Sequence, residues 1–246
     1  MLLNRCKIVI VFVVSIMNGG IIAQTCGFGC LGLSGIYGGY TYQQYDAGGL
    51  NEYLNSNAID LISNDADEIE FKEGKGFRFG ANIFRAKFDD YFISAKGYFQ
   101  FLKEKKTRTG LLNPDMQNDL ELQLNYWGLG IDFGVPLFSI MDFKIVEGGI
   151  TFFNTQFKIV TKEGNSEISE RKFESNDSKI GYYVSTGFVF HIVRNYISIE
   201  GTAIYSMFQI DELDGENITI PILDNKKIID GGGFGGVVQL NVGIPF

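Results

Sequence analysis

The chain contains a few charged residues inside segments that are otherwise apolar or small, and these are the groups that could do chemistry. Each alternates with apolar neighbours at a period of two, which would place it on one face of a strand. They are Arg78, Lys96, Glu121, Glu147 and Glu200. A charge that leaves water is costly unless it is paired. The pattern therefore predicts an internal ion-pair cluster, which would either close a narrow lumen with salt bridges or gate a conduit whose pairs exchange.

Residues that catalysis would need are scarce. His191 is the only histidine, and the pattern places it near one end of its strand, on the polar face. No second imidazole or cysteine lies nearby in sequence to complete a metal site, and the opposite end of the strands has no histidine for a Ser–His mechanism. The glycine-rich run 231–236 opens no helix, so it does not predict a phosphate site. The sequence thus predicts a protein that is not an enzyme and binds no cofactor.

Eight alternating segments could position the charged residues. They span approximately 31–45, 74–88, 91–102, 119–135, 142–160, 178–192, 196–210 and 231–246. The fourth segment changes parity around Trp127, which predicts a bulge near Gly128. The first, third, fifth and seventh connections are long and polar, whereas the others are tight turns. Alternating long and short connections predict antiparallel hairpins arranged in sequence order.

The final segment, GGGFGGVVQLNVGIPF, has one apolar face, while its other face is small or uncharged and polar. This strand resembles the assembly signal of bacterial outer-membrane β-barrel proteins. The whole chain resembles the small barrels typified by the OmpA transmembrane domain and OmpX. The resemblance implies an all-β fold, a single eight-stranded antiparallel up-and-down transmembrane barrel. Ten strands are an alternative, if 69–72 and 218–223 pair as additional hairpin arms.

Location follows from the N-terminal segment and from the same resemblance. Arg5 and Lys7 precede a short apolar run, which predicts a secretory signal peptide over 1–23 and a barrel domain over 24–246. The barrel would lie in the outer membrane of a bacterial cell, in contact with lipid, with its long loops outside. Cys26 and Cys30 could form a local disulfide in an oxidising compartment. The net charge of −8 argues against a nucleic-acid partner.

The terminal residue Phe246 carries the first testable prediction. The resemblance implies that this aromatic residue is recognised by the barrel-assembly machinery. We therefore expect that replacing Phe246 by Asp, or deleting it, impairs membrane insertion. Quantifying the protein at the cell surface would test this, and normal surface levels of the Asp variant would contradict it.

Three functional classes remain open at this stage, because a barrel does not specify its role. We expect a non-enzymatic membrane protein that contacts a partner protein through its loops, while its polar lumen is largely plugged. The first loop, 46–73, is the expected contact surface, because its apolar residues Leu50, Tyr53, Leu54 and Ile59 interrupt a polar run. One alternative is a small porin or a transporter of small or hydrophobic molecules. Another is an enzyme that modifies outer-leaflet lipid.

Overall fold

The computed structural model describes residues 35–56, 68–88, 90–109, 115–193, 196–215, 219–220 and 227–243. The predicted signal peptide 1–23, Cys26, Cys30 and Phe246 lie outside these ranges, as does the 57–67 part of the first loop. Among the described residues, no helix is long and apolar enough to cross a membrane.

Strands make up most of the described chain. The elements are β1 Gly35–Asp46, α1 Gly48–Asn55, β2 Glu73–Lys87, β3 Phe92–Thr109, β4 Met116–Phe138, β5 Met141–Glu163, β6 Ser166–Glu174, β7 Lys179–Val193, β8 Ile197–Met207, β9 Leu213–Gly215, β10 Thr219–Ile220 and β11 Gly231–Val242. Eight of them close into a ring in the order β1-β2-β3-β4-β5-β7-β8-β11, and every neighbour is antiparallel. The predicted eight-stranded antiparallel barrel is confirmed.

The two ends of the barrel differ. At one end, which we call the turn end, the short β2–β3, β4–β5 and β7–β8 connections lie beside the first residues of β1 and the last residues of β11. At the other end, the loop end, β3, β4 and β5 continue beyond the ring. There β6 pairs with residues 156–163 of β5, whereas β7 pairs with residues 141–153 of the same strand. We call residues 103–109, 116–125, 154–163 and 166–174 the extension.

Three expectations about the connections were wrong. The charged segment that starts at Lys103 continues β3 instead of forming a loop. The polar segment 161–177 contains the β5–β6 hairpin, which turns at Gly164 with a φ of +58°. The ten-stranded alternative also fails, because Thr219 and Ile220 pair with β9 and not with 69–72. These polar segments were predicted as loops because a strand was expected to end where its outward residues become polar. In the structure the sheet continues beyond the apolar belt into solvent.

The predicted bulge near Gly128 is absent. Even-numbered residues of β4 face inward without interruption from Asn118 to Gly134, and the register with β3 is continuous over the whole pair. What changes along β4 is the surrounding medium. From Trp127 to Leu137 the outward residues are apolar, whereas nearer the loop end the inward residues Leu120, Leu122 and Leu124 are apolar. The parity change in the sequence therefore marks where the strand leaves an apolar environment.

The apolar outer surface forms a belt that is tall enough to cross a bilayer. On β4 it extends over the residues from Trp127 to Leu137, with Ile131 near its middle and 64% exposed. Eleven residues rise about 36 Å along a strand, and a strand tilt of about 40° reduces this to about 28 Å. A transmembrane barrel has an apolar band of similar height, about 25 Å. Such a surface is stable in lipid and not in water.

The extension has the opposite construction, with an apolar interior and a polar exterior. We call its interior the cap core, and its fully buried members include Leu50, Leu54, Phe71, Leu102, Leu120, Leu122, Leu124, Phe157 and Ile159. Helix α1 closes this core from the loop end. The Asn51 side chain exchanges two hydrogen bonds with the backbone of Phe71, of 2.7 and 3.0 Å. The first loop is therefore folded onto the barrel along the part of it that the structure describes.

Candidate functional site

The lumen near the turn end contains a layer of paired charges. Lys96 Nζ lies 3.0 Å from Asp132 Oδ2, 3.2 Å from Glu147 Oε2 and 3.5 Å from Glu200 Oε1. Lys144 Nζ lies 2.6 Å from the same Glu147 oxygen and also bonds Glu200. All five side chains are buried. We call this set the charge layer; each ammonium group contacts at least two carboxylates.

Neutral side chains complete the hydrogen bonds of these carboxylates. The Tyr183 hydroxyl donates to Glu147 Oε1 at 2.7 Å, and Ser185 donates to Glu147 Oε2 at 3.2 Å. On the opposite wall, Gln239 Nε2 donates to Glu200 Oε2 at 3.2 Å. Buried ions are tolerated only when pairing and hydrogen bonding offset the loss of water. The charge layer meets this condition, and the side chains that pair or form hydrogen bonds in it come from β3, β4, β5, β7, β8 and β11.

Four of the five predicted residues lie in the lumen. Lys96, Glu147 and Glu200 meet in the charge layer, and Arg78 lies nearer the loop end, where its Nε donates to Gln100 Oε1 at 2.6 Å. Glu121 was placed wrongly. Its carboxylate points outward from the extension and pairs with Lys103 at 2.7 Å and Lys105 at 3.0 Å. Partial burial alone would raise the Glu121 pKa, but the two ammonium groups lower it to about 2.

Two members of the charge layer were missed from the sequence, Lys144 and Asp132. Lys144 faces inward because β5 contains a bulge, where both Ile145 and Val146 face outward and are about two-fifths exposed. The signal for this was a pair of adjacent apolar residues between two charges. Asp132 alternates with the outward residues Ile131 and Phe133, which already indicated its inward direction, but it was not included in the predicted cluster.

A layer of tyrosines closes the lumen between the charge layer and the cap core. The Arg78 guanidinium lies 4.0 Å from the centre of the Tyr98 ring, and Tyr98 packs edge-on against Tyr126 and Tyr183 at 6.2 and 6.0 Å. Inward glycines make room for these rings. A Cβ at Gly130 would lie 2.0 Å from the Tyr183 hydroxyl. An eight-stranded barrel is just wide enough for its own side chains to fill it, and this one is filled.

His191 lies at the turn end, in a separate small cluster. Its Nε2 is 2.8 Å from Asp142 Oδ2, and Arg85 Nη2 contacts the same oxygen at 3.3 Å. The described contacts of His191 are thus to a buried carboxylate at the barrel end. Within the described ranges, no group of three or more His, Cys, Asp or Glu side chains could hold a metal ion.

The outer surface of the extension is a ladder of opposite charges. Besides the Glu121 pairs, Lys162 contacts Asp119 at 2.6 Å across β4 and β5, and Lys158 contacts Glu170 at 3.0 Å across β5 and β6. Cross-strand pairs of opposite charge favour this register. A charged surface of this kind is stable in water and not in lipid. The apolar belt therefore ends on the turn-end side of the extension.

Comparisons with known proteins find similarity to solved structures only. No protein-family model matches the chain, and neither does any curated protein. Among solved structures it is similar to the attachment invasion locus protein Ail of Yersinia pestis, at 12% identity and a TM-score of 0.41 over 86% of this chain and 97% of that one.

Two further solved structures are similar. Neisserial surface protein A gives 14% identity and a TM-score of 0.40 over 87% of this chain and 99% of that one. The outer membrane protease OmpT from Escherichia coli gives 7% identity and a TM-score of 0.42 over 87% and 94%. The closed ring of eight antiparallel strands, the polar lumen and the lipid-compatible belt give this chain the fold of a small outer-membrane β-barrel.

Proposed function

We propose that this chain is a non-enzymatic protein of the bacterial outer membrane that presents a folded surface structure to partners outside the cell and does not conduct solutes. Its turn end would face the periplasm and its extension the exterior. The observation that carries this proposal is the cap core. It places a continuous apolar interior, capped by α1, directly above a lumen that salt bridges and tyrosines already occupy.

The lumen supports a closed barrel more than a pore. A permeating ion would have to separate Lys96 and Lys144 from their carboxylates and then cross the tyrosine layer and the cap core. Burying an ion in an apolar region costs many kcal/mol. The one histidine lies at the turn end, away from the outer leaflet, which also argues against an enzyme that modifies lipid there.

The contact surface differs from the one that the sequence suggested. Leu50, Tyr53 and Leu54 were expected to meet a partner, but all three are buried in the cap core. The parts of the extension that are available to a partner are its charged outer face and β6. Seven consecutive residues of β6, 166–172, are exposed, and Ile168 has 54% of its surface accessible. We place the partner contact here.

Conductance measurements test the closed lumen. We expect the protein, reconstituted in planar bilayers, to show no stable conductance steps, because the cap core and the tyrosine layer leave no wet path. A general porin inserted under identical conditions provides the positive control, and a change in gel migration on heating confirms that the unheated barrel is folded. Stable, reproducible steps from the folded protein would overturn the closed-barrel proposal.

Photo-crosslinking tests the contact surface. Benzoylphenylalanine at position 168 should give discrete protein adducts on intact cells that meet a partner, because this side chain projects from an exposed strand. The same probe at position 131 is the matched control, since Ile131 is at least as exposed as Ile168 but lies in the middle of the belt. Adducts from position 131 alone, or from neither position, would remove β6 as the contact site.

A further inference from the structure

A pocket of about 510 Å³ opens on the outer wall of the barrel, at the loop-end termini of β7, β8 and β11. We call it the boundary pocket. Its position follows from the strand ends: β8 ends at Met207, whereas β11 begins only at Gly231. Gly231 and Gly232 line the pocket, and a Cβ at Gly231 would meet no atom within 4 Å. Gly231 therefore leaves the concavity open, whereas a Cβ at Gly232 would lie 2.2 Å from Ser206 O, so Gly232 permits the close approach of β11 to β8.

One wall of the boundary pocket belongs to the apolar belt. It is formed by outward side chains that include Tyr182, Tyr205 and Met207, which are 56%, 39% and 49% exposed. In a membrane this wall would face acyl chains. Tyrosine suits such a boundary, because its ring is apolar and its hydroxyl remains polar. The wall can therefore hold the apolar part of an amphiphile and offer a ring face to the C–H side of a sugar.

The opposite wall is polar, and its charges balance. Lys227 Nζ lies 3.2 Å from Asp211 Oδ1 and donates to Gln209 Oε1 at 2.6 Å. Lys179 Nζ lies 3.5 Å from the other Asp211 oxygen, and Asp230 adds a second carboxylate to the lining. Two ammonium groups face two carboxylates, so the wall carries no net charge.

The balance of charges selects the chemistry of the occupant. A phosphate between the two lysines would also lie beside Asp211, and two negative charges at such a short distance repel each other. Hydroxyl groups have no such penalty. A polyhydroxylated ring can donate to the Asp and Gln oxygens and accept from the Lys ammonium groups at the same time. The volume lies within the range of small-molecule sites, about 300–1,000 Å³.

We propose that the boundary pocket binds a glycolipid of the surrounding leaflet, with its uncharged sugar headgroup against the polar wall and its lipid chain along the tyrosines. This goes beyond the proposed surface contact, which uses β6 of the extension and none of the residues that line the pocket. It requires that the belt lies in a membrane, which flotation of the protein with lipid vesicles tests independently.

The test uses the full chain in lipid nanodiscs. One series contains phosphatidylcholine with increasing fractions of monoglucosyl diacylglycerol, and the other contains phosphatidic acid with identical acyl chains. We expect saturable amide shifts in residues 205–211 and 227–232 with the glucolipid only. Tyr205→Ala should weaken this binding about threefold to tenfold, as expected for the loss of one aromatic contact. Tyr40→Ala, an exposed tyrosine on β1, is the matched control and should leave the affinity unchanged.

Four results would overturn the proposal. Saturation by phosphatidic acid at lower fractions than the glucolipid would identify an anion site instead. Equal responses to both lipids would mean that the acyl chains alone contact the wall. Shifts with no saturation, or an unchanged affinity in Tyr205→Ala while both variants migrate as folded barrels, would show that the pocket binds no glycolipid.

Discussion

Replacing Lys144 by Met should lower the free energy of unfolding by about 3–5 kcal/mol, the usual cost of removing one partner from a buried ion network. The Lys144 ammonium contacts Glu147 and Glu200 and donates to the Thr202 hydroxyl at 3.1 Å. Without it, three buried carboxylates would share the single Lys96 ammonium. Equilibrium unfolding in denaturant, with the barrel in lipid vesicles and the folded fraction measured by gel mobility, gives the loss directly.

Two further variants distinguish the loss of a buried ion pair from the loss of a lysine at an exposed position. Lys162→Met removes an equally close ion pair, 2.6 Å from Asp119, but on the solvated outer face of the extension, where we expect a much smaller change. Adding Glu200→Gln to Lys144→Met removes one of the stranded charges and should restore part of the loss. Equal losses in the two single variants, or no recovery in the double variant, would show that the charge layer does not stabilise the barrel.

The sequence predicted the ring of strands and part of the charge layer for the same reason. Within the belt, alternation of period two reports directly which side chains face lipid and which face the lumen. Lys96, Glu147 and Glu200 lie on segments where this alternation is regular, so their inward direction could be predicted.

The lysine that joins these residues could not be found by the same rule. A bulge adds one residue to a strand and reverses the parity on one side of it. At Ile145 this reversal turns Lys144 inward, although regular alternation from Glu147 would turn it outward. Charges on both sides of two adjacent apolar residues are a usable signal for such a bulge. Recognising the bulge requires knowing that Ile145 and Val146 can both face the outer surface, which is favourable for two apolar side chains only in lipid.

The misplacement of Glu121 has a different cause. Alternation tells which residues share a face, but it does not tell whether that face meets lipid, water or protein. Along β4 the medium outside changes from lipid to water, and the apolar residues move from the outward to the inward positions while the strand stays regular. Reading apolar as outward throughout therefore required an imaginary bulge and turned Glu121 inward. The Gly164–Asn165 pair is a hairpin signal. It was not used because the charged residues around it were taken to indicate a loop.

Four substitutions on β4 test this change of medium within a single strand. Ile131→Arg places a charge on the outward face near the middle of the belt and should cost about 2–4 kcal/mol, as for arginine at the midplane of other barrels. Gln123→Arg has the same outward direction but lies in the extension beside Glu121. It should change the free energy of unfolding by less than about 0.5 kcal/mol, because that face is solvated.

For alanine substitutions we expect the reverse: the larger loss of stability should occur in the extension, at an inward residue, and the smaller loss in the belt, at an outward residue. Leu122 is 1% exposed in the cap core, so Leu122→Ala should cost about 2–5 kcal/mol through lost burial and the cavity that remains. Leu129→Ala is the matched control, because Leu129 is 41% exposed to the belt and its removal leaves space that lipid can fill. If Gln123→Arg were as costly as Ile131→Arg, lipid would surround the extension as well. If Leu122→Ala were as mild as Leu129→Ala, the cap core would not be packed, and the main argument for a closed lumen would fail with it.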